Sequence, residues 1–160
     1  MGNNLYPESY EIEDTLYADT LEEEEEGAPR YLNGVAFDYE TGDFQRDGKN
    51  KLLDCHGIES WRSWCINCIQ TERYMYLAYS NGYGIETEEA LRAASREEAE
   101  SILTREITEA IMADPYQRTA YIADIEFSWE APDAIKVYVT IQGVDDVTID
   151  IVAYITKGEL

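Results

Sequence analysis

Apolar residues recur at helical spacing in two stretches of the chain. The first, about residues 57–72, carries an apolar stripe made of Ile58, Trp61, Cys65, Cys68 and Ile69, with Trp64 at its margin. The second begins near Thr87 and restarts at Ser95, which opens a capping box, and Asp114-Pro115 stops it. The pattern predicts two amphipathic helices, with Asp54 as a candidate cap of the first.

The last third of the chain alternates between apolar and polar residues. The apolar positions form three runs, Ile125, Phe127 and Trp129, then Ile135, Val137, Val139 and Ile141, then Val147, Ile149 and Ile151. Turn residues separate these runs at 131–133 and 142–146. The alternation predicts a three-stranded antiparallel meander with one apolar face, which the two helices cover. We expect the last strand, 147–155, at an edge of the sheet or extended toward another subunit.

Before the helices, Asp47-Gly48 lies between short apolar pieces and predicts a small hairpin over about 44–53. The predicted fold class is therefore α+β, with two main helices packed on a three-stranded antiparallel meander and a small N-terminal hairpin.

The segment 70–84, between the two helices, contains four tyrosines and two glycines. Because so much aromatic surface is unfavourable in water, the sequence predicts a buried, extended connection with a turn at its end. Glu72-Arg73 inside it is expected to be partly buried and hydrogen-bonded, serving the architecture or an interface. Part of the segment 76–83 is also predicted to meet a neighbouring molecule, since a small domain cannot hide all of these rings.

Charge divides the chain into two parts. It has 160 residues and a formal charge of -22, from 12 basic and 34 acidic side chains. Residues 1–30 hold ten acidic side chains and one basic one, which predicts an acidic arm that orders on a partner or remains a solubilising tail. Residues 31–160 are predicted to form a single domain. The charge disfavours binding to nucleic acid or to anionic membranes.

Neither a membrane span nor an export signal is predicted. The sequence contains no run of 18 apolar residues, and its first residues lack the basic and apolar regions of a signal peptide. Three cysteines in such a chain are expected to be reduced thiols.

Cys65 and Cys68 form a C-x-x-C motif, and Cys55 and His56 lie upstream, so these four residues are candidate ligands of a zinc site. Core cysteines are the better reading, because both motif cysteines fall on the apolar helical stripe. His56 is the single histidine, and no third group can be named for a nucleophilic mechanism. We therefore expect no catalytic residue, no metal and no cofactor.

Two tracts carry a family resemblance. The sequences Phe37-Asp38-Tyr39-Glu40-Thr41-Gly42-Asp43-Phe44 and Thr71-Glu72-Arg73-Tyr74-Met75-Tyr76-Leu77-Ala78-Tyr79, the second followed by Tyr83-Gly84-Ile85-Glu86, resemble baseplate wedge proteins of contractile phage tails. The likeness is strongest to the branch of PBSX-type defective prophages and tail-like bacteriocins, whose members have been labelled lysozyme-like. It covers about residues 37–155. The family's Glu-Pro-Arg signature corresponds to Asp114-Pro115-Tyr116-Gln117-Arg118, an imperfect match.

The resemblance implies a non-enzymatic sheath initiator that joins the inner baseplate wedge to the first sheath ring by sharing its C-terminal strand. The implied partners are a sheath subunit, wedge core proteins and tail tube or hub neighbours. The implied place is the baseplate of a virion or tail-like particle assembled in the bacterial cytoplasm. The residues expected to bind partners are Glu72, Arg73, Tyr76, Tyr79, Tyr83, Arg118, Val147, Ile149, Ile151 and Tyr154.

Two other functions stay open at this point. A peptidoglycan-hydrolysing, lysozyme-like enzyme would need a pair of carboxylates, and 34 acidic residues offer too many pairs to choose one. An acidic binding module that mimics nucleic acid is suggested by the charge alone. The first predicts turnover of peptidoglycan, and the second predicts salt-sensitive competition with DNA for a basic protein.

Overall fold

The first described residues form two very short strand pairs. The structure, a computed structural model, describes residues 31–39 and 41–156, so the acidic arm predicted for 1–30 lies outside the described residues. The pairs are β1 with β4 and β2 with β3, where the strands are β1 Gly34–Val35, β2 Phe37–Asp38, β3 Asp43–Phe44 and β4 Asp54–Cys55. Between them Arg46 bridges Leu52 around an Asp47-Gly48 turn, which confirms the predicted hairpin.

Three helices follow. They are α1 Ile58–Gln70, α2 Thr87–Leu91 and α3 Arg96–Met112. Ser95 caps α3 by accepting a hydrogen bond from the backbone N–H of Glu98 at 3.2 Å, as the capping box predicts. The proposed Asp54 cap is wrong, because Asp54 lies in β4 and Gly57 occupies the cap position of α1 without a side-chain hydrogen bond.

The C-terminal part of the fold is an antiparallel sheet in the order β5-β6-β7. Its strands are β5 Thr119–Ala131, β6 Ala134–Gly143 and β7 Thr148–Thr156. Helix α1 packs over β7 and α3 packs over β5, so one face of the sheet is covered as the alternation predicts. Trp61, Cys65, Cys68 and Ile69 of the α1 stripe are buried there, whereas Ile58 is exposed at the start of the helix.

Candidate functional site

The Thr-Glu-Arg run after α1 closes a loop by pairing with the segment that leads into α2. Glu72 and Ile85 form a parallel bridge, in which Arg73 N donates to Ile85 O and Ile85 N donates to Thr71 O, both at 3.0 Å. The Glu72 carboxylate also accepts hydrogen bonds from the backbone N–H and the hydroxyl of Thr87. Residues 71–73 and 84–87 together are called the clasp below. It fixes both ends of the loop between them.

Arg73 anchors the clasp to α3. Its Nε donates to Gly84 O at 2.9 Å, and its guanidinium lies 3.3 Å from Glu106 and 3.8 Å from Glu109. The side chains of Arg73 and Glu106 are both nearly buried, so this ion pair is screened little by solvent. The expectation of a partly buried, hydrogen-bonded Glu72-Arg73 pair is confirmed, but each residue bonds to other groups and not to its neighbour.

The loop between the two halves of the clasp, residues 74–83, is called the aromatic loop. The prediction that it is a buried, extended connection is wrong. Its backbone turns repeatedly, and Tyr74, Tyr76 and Leu77 are 64%, 58% and 104% exposed. The clasp explains the error, because it brings residues 73 and 84 together and forces the chain between them outward. The predicted turn at the end of the loop is present, with Tyr83 N donating to Ser80 O at 3.0 Å.

A row of ring contacts ties the aromatic loop to α1. Tyr76 packs edge-on against Tyr79, Tyr79 lies 4.5 Å from Tyr83 between ring centroids, and Tyr83 packs edge-on against Trp64. The inner end of the row is half-buried, and burial raises the pKa of Tyr83. The outer rings are exposed. The predicted partner-binding tyrosines Tyr76, Tyr79 and Tyr83 are therefore brought together in one row.

Two concave surfaces flank the aromatic loop. The first, called the apolar slot, is a cavity of about 220 Å³ lined mainly by Trp64, Ala78, Tyr79, Tyr83, Ala113 and Pro115. The second, called the acidic groove, is about 550 Å³ and carries five glutamates and two arginines from the clasp, α2 and the start of α3. Within the described residues, no group of three or more histidine, cysteine or acidic side chains could hold a metal ion.

Arg118 lies under the surface in the connection between α3 and β5. Its Nε and Nη2 atoms donate to the two carboxylate oxygens of Asp114 at 2.7 and 2.8 Å, and the two side chains are 3% and 1% exposed. Its guanidinium also lies 5.3 Å from the Trp64 ring, and its carbonyl accepts from Val144 N at 2.9 Å. The contacts of Arg118 therefore lie inside the domain. Sequence reasoning missed its partner, although the Asp-Pro-x-x-Arg spacing could have revealed it.

Strand β7 is an edge strand. Within residues 31–39 and 41–156 no strand pairs with it on the side away from β6. Gly143 N donates to Val147 O at 2.7 Å, and the register continues without a shift from Gln142 opposite Thr148 to Ala134 opposite Thr156. Because bonded and non-bonded pairs alternate along an antiparallel ladder, the odd-numbered residues of β7 bond to β6. Its even-numbered residues therefore direct their N–H and C=O groups to the open edge.

The side chains of β7 also alternate, with odd-numbered residues on the inner face of the sheet and even-numbered residues on the outer face. Ile149 and Ile151 are buried, Val147 just before the strand is half-buried, and Tyr154 is exposed on the outer face of the sheet. The Lys136 ammonium lies over the rings of Tyr138 and Tyr154 on that face. Among the residues predicted to bind through β7, Ile149 and Ile151 thus belong to the core. The open edge of the strand exposes backbone N–H and C=O groups.

The cysteines lie in the interior. Cys55, Cys65 and Cys68 are buried free thiols, which confirms the reading of Cys65 and Cys68 as core residues. Burial raises the pKa of Cys65, and it raises the pKa of Cys68 to about 11.

We expect the two α1 thiols to react very slowly with a disulfide reagent at pH 8. With a pKa of about 11, only on the order of one Cys68 side chain in a thousand is a thiolate at that pH. The measurement is the rate of reaction with Ellman's reagent in the variant Cys55→Ser, before and after unfolding in guanidinium chloride. Both thiols should react at once in the unfolded chain. Rapid reaction of the folded variant would contradict the buried placement.

Comparison with known proteins identifies a family to which the chain is similar. The model of the contractile injection system sheath initiators matches residues 34–146, which include the clasp, the aromatic loop, Arg118 and the first two strands of the sheet. No curated protein matches the chain. None of the described helices is long and apolar enough to span a membrane.

Proposed function

The chain belongs to the contractile injection system sheath initiator family, whose role is structural, and we propose that it starts sheath assembly by adding its β7 edge to a strand of a sheath subunit. In this proposal it sits in the baseplate between the wedge and the first sheath ring. It acts without catalysis and without a cofactor. The proposed partners are a strand of the sheath subunit and the core proteins of the wedge.

The observation that supports strand addition is the row of backbone groups on the open edge of β7. Thr148, Asp150, Val152, Tyr154 and Thr156 direct N–H and C=O groups away from β6, over a strand of nine residues. Neither proline nor glycine interrupts the strand, and a bulge is absent from its pairing with β6. An incoming strand would find a continuous ladder, with affinity supplied by backbone hydrogen bonds.

Deleting β7 would not test this proposal cleanly. Ile149, Ile151, Ala153 and Ile155 from β7 are buried in the core, so a truncated chain would lose its fold as well as its edge. A useful variant must remove the edge and keep the core.

Val152→Pro meets that requirement. The N–H of Val152 faces the open edge, so proline removes a donor that β6 does not use, and proline is tolerated at such edge positions. The side chain is on the outer face and not in the core. We expect particles from cells that produce this variant to show baseplates and tubes without ordered sheath in electron microscopy.

The matched control is Val152→Thr, which keeps the N–H group and the β-branched shape. It should give normally sheathed tails. Circular dichroism and thermal unfolding of both purified chains verify that the proline variant is folded. Normal sheaths on particles that contain the folded Val152→Pro chain would refute strand addition through β7.

The remaining predicted contact residues fall into three groups. We propose that Tyr76, Tyr79 and Tyr83 contact a wedge, tube or hub neighbour, and that Glu72 and Arg73 hold the loop that presents them. For Arg118 we propose a supporting role, because its guanidinium is paired with Asp114 and buried beneath Trp64 and Tyr116.

A further inference from the structure

The aromatic loop is the most exposed apolar feature of the described residues. Tyr74, Met75, Tyr76, Leu77 and Tyr79 are all about half or more exposed within six consecutive positions. Soluble proteins seldom display a contiguous group of large apolar side chains unless it meets another molecule. The clasp keeps the loop in place, so little ordering entropy would be lost on binding.

From this loop and the two surfaces beside it, we infer that the chain binds a segment of another particle protein that inserts one large apolar side chain into the apolar slot and lays basic side chains along the acidic groove. The inference rests on the proposed function in one respect, since it takes the partner from the particle. It adds the chemistry of that partner, and it concerns the loop and not β7.

The size of the apolar slot selects a single side chain. Its volume of about 220 Å³ is below the range of about 300–1,000 Å³ that is typical of small-molecule sites. That volume has room for one leucine, methionine or phenylalanine side chain. Its walls are the rings of Trp64, Tyr79 and Tyr83 with the side chains of Ala113 and Pro115, which offer apolar contact to such an anchor.

The negative charge of the acidic groove favours a partner with basic residues near that anchor. The acidic groove carries Glu72, Glu86, Glu88, Glu89 and Glu98 against Arg73 and Arg92. Arg73 is bound to Glu106, Arg92 pairs with Glu88, and Arg105 lies 3.8 Å from Glu89, so the groove keeps an excess of negative charge. A second copy of this chain, at -22, would be repelled, and so would its own residues 1–30, which have ten acidic side chains and one basic one. A segment that bears lysine or arginine is the occupant that fits.

The distance between the two surfaces limits the spacing of the partner's residues. Ile102 of α3 lines the groove and Ala113, just after α3, lines the slot. The two residues are eleven positions apart along α3, or about 16 Å at about 1.5 Å per residue. The basic residues should therefore lie within about eleven positions of the anchor in a helix, or about five in an extended chain.

The experiment is photo-cross-linking in assembled particles with β7 left intact. The variant Leu77→p-benzoylphenylalanine carries the probe at a fully exposed loop position, and Tyr121→p-benzoylphenylalanine on β5 is the control, since Tyr121 is 57% exposed. We expect Leu77 to cross-link to one neighbouring protein, at a segment with an apolar residue and basic residues at the spacing above. The Tyr121 probe should not reach that segment.

A charge reversal completes the test. Glu88→Lys in the groove should lower the Leu77 cross-link yield about fivefold, whereas Glu126→Lys on the sheet should leave it unchanged. Cross-links to a second copy, to residues 1–30 or to an uncharged or acidic segment would overturn the inference, as would no cross-link at all. Ordered sheath in the same particles reports the proposed function separately. Absence of the chain from particles would overturn both.

Discussion

Replacing Asp114 by alanine is expected to lower the free energy of unfolding by about 3–5 kcal/mol, because it leaves a buried guanidinium without its counter-charge. Asp114 accepts four hydrogen bonds, from the backbone N–H groups of Tyr116 and Arg118 and from two nitrogens of the Arg118 side chain. All four are lost together. The same change would loosen the turn between β6 and β7, since the carbonyl oxygen of Arg118 accepts a hydrogen bond from the backbone N–H of Val144.

The measurement is urea unfolding of the full chain at pH 7, followed by tryptophan fluorescence. The variant Arg118→Met and the double variant Asp114→Ala/Arg118→Met complete a cycle. The double variant should lose much less stability than the sum of the two single variants, because it leaves neither charge uncompensated. A loss below about 1 kcal/mol for Asp114→Ala would mean that the pair does not support the domain.

Replacing Gly84 by alanine is expected to lower the free energy of unfolding by about 2–4 kcal/mol and to release the aromatic loop. Gly84 has a φ of +91°, which side chains rarely adopt, and a Cβ atom there would lie 2.7 Å from Thr71 O and 3.1 Å from the backbone of Arg73. Those backbone atoms form the parallel bridge of the clasp. The alanine therefore cannot be accommodated without opening the clasp.

Two readouts check this result. Thermal unfolding reports the stability, and limited chymotrypsin digestion reports cleavage within residues 74–83, which should become faster in the variant. Gly48→Ala is the matched control, because Gly48 is in a turn with open space around its Cβ position, and it should change stability by no more than about 0.5 kcal/mol. Equal digestion rates in Gly84→Ala and the native chain would argue against the clasp as the element that holds the loop.

Sequence periodicity was a sound guide to the main elements. The two-residue period of the last third predicted β5, β6 and β7, and the capping box at Ser95 predicted the start of α3. Both signals are local, since alternation sets which face of a strand is apolar and a cap needs only residues three positions apart. Family membership was also readable from the sequence, and the match over residues 34–146 confirms it.

The prediction that the aromatic loop is buried is wrong because composition alone does not show which distant residues pair and close a segment into a loop. The hydrophobic effect favours burial of Tyr74 and Tyr76, but the long-range pairing of Glu72 with Ile85 turns the segment outward. That pairing depends on Glu106 and Thr87, which lie 34 and 15 positions from Glu72 in the sequence. No local pattern encodes it.

By itself the sequence determined the α+β class, the helical and strand periods, the excess of negative charge and the family. Tertiary structure alone decided that residues 74–83 are exposed, that Arg118 is paired with Asp114 in the interior, and that the open edge of β7 offers backbone groups from its even-numbered residues. The physical reason is the range of the interactions. Periodicity and capping are settled within one element, whereas burial, ion pairing and edge exposure depend on which distant elements meet.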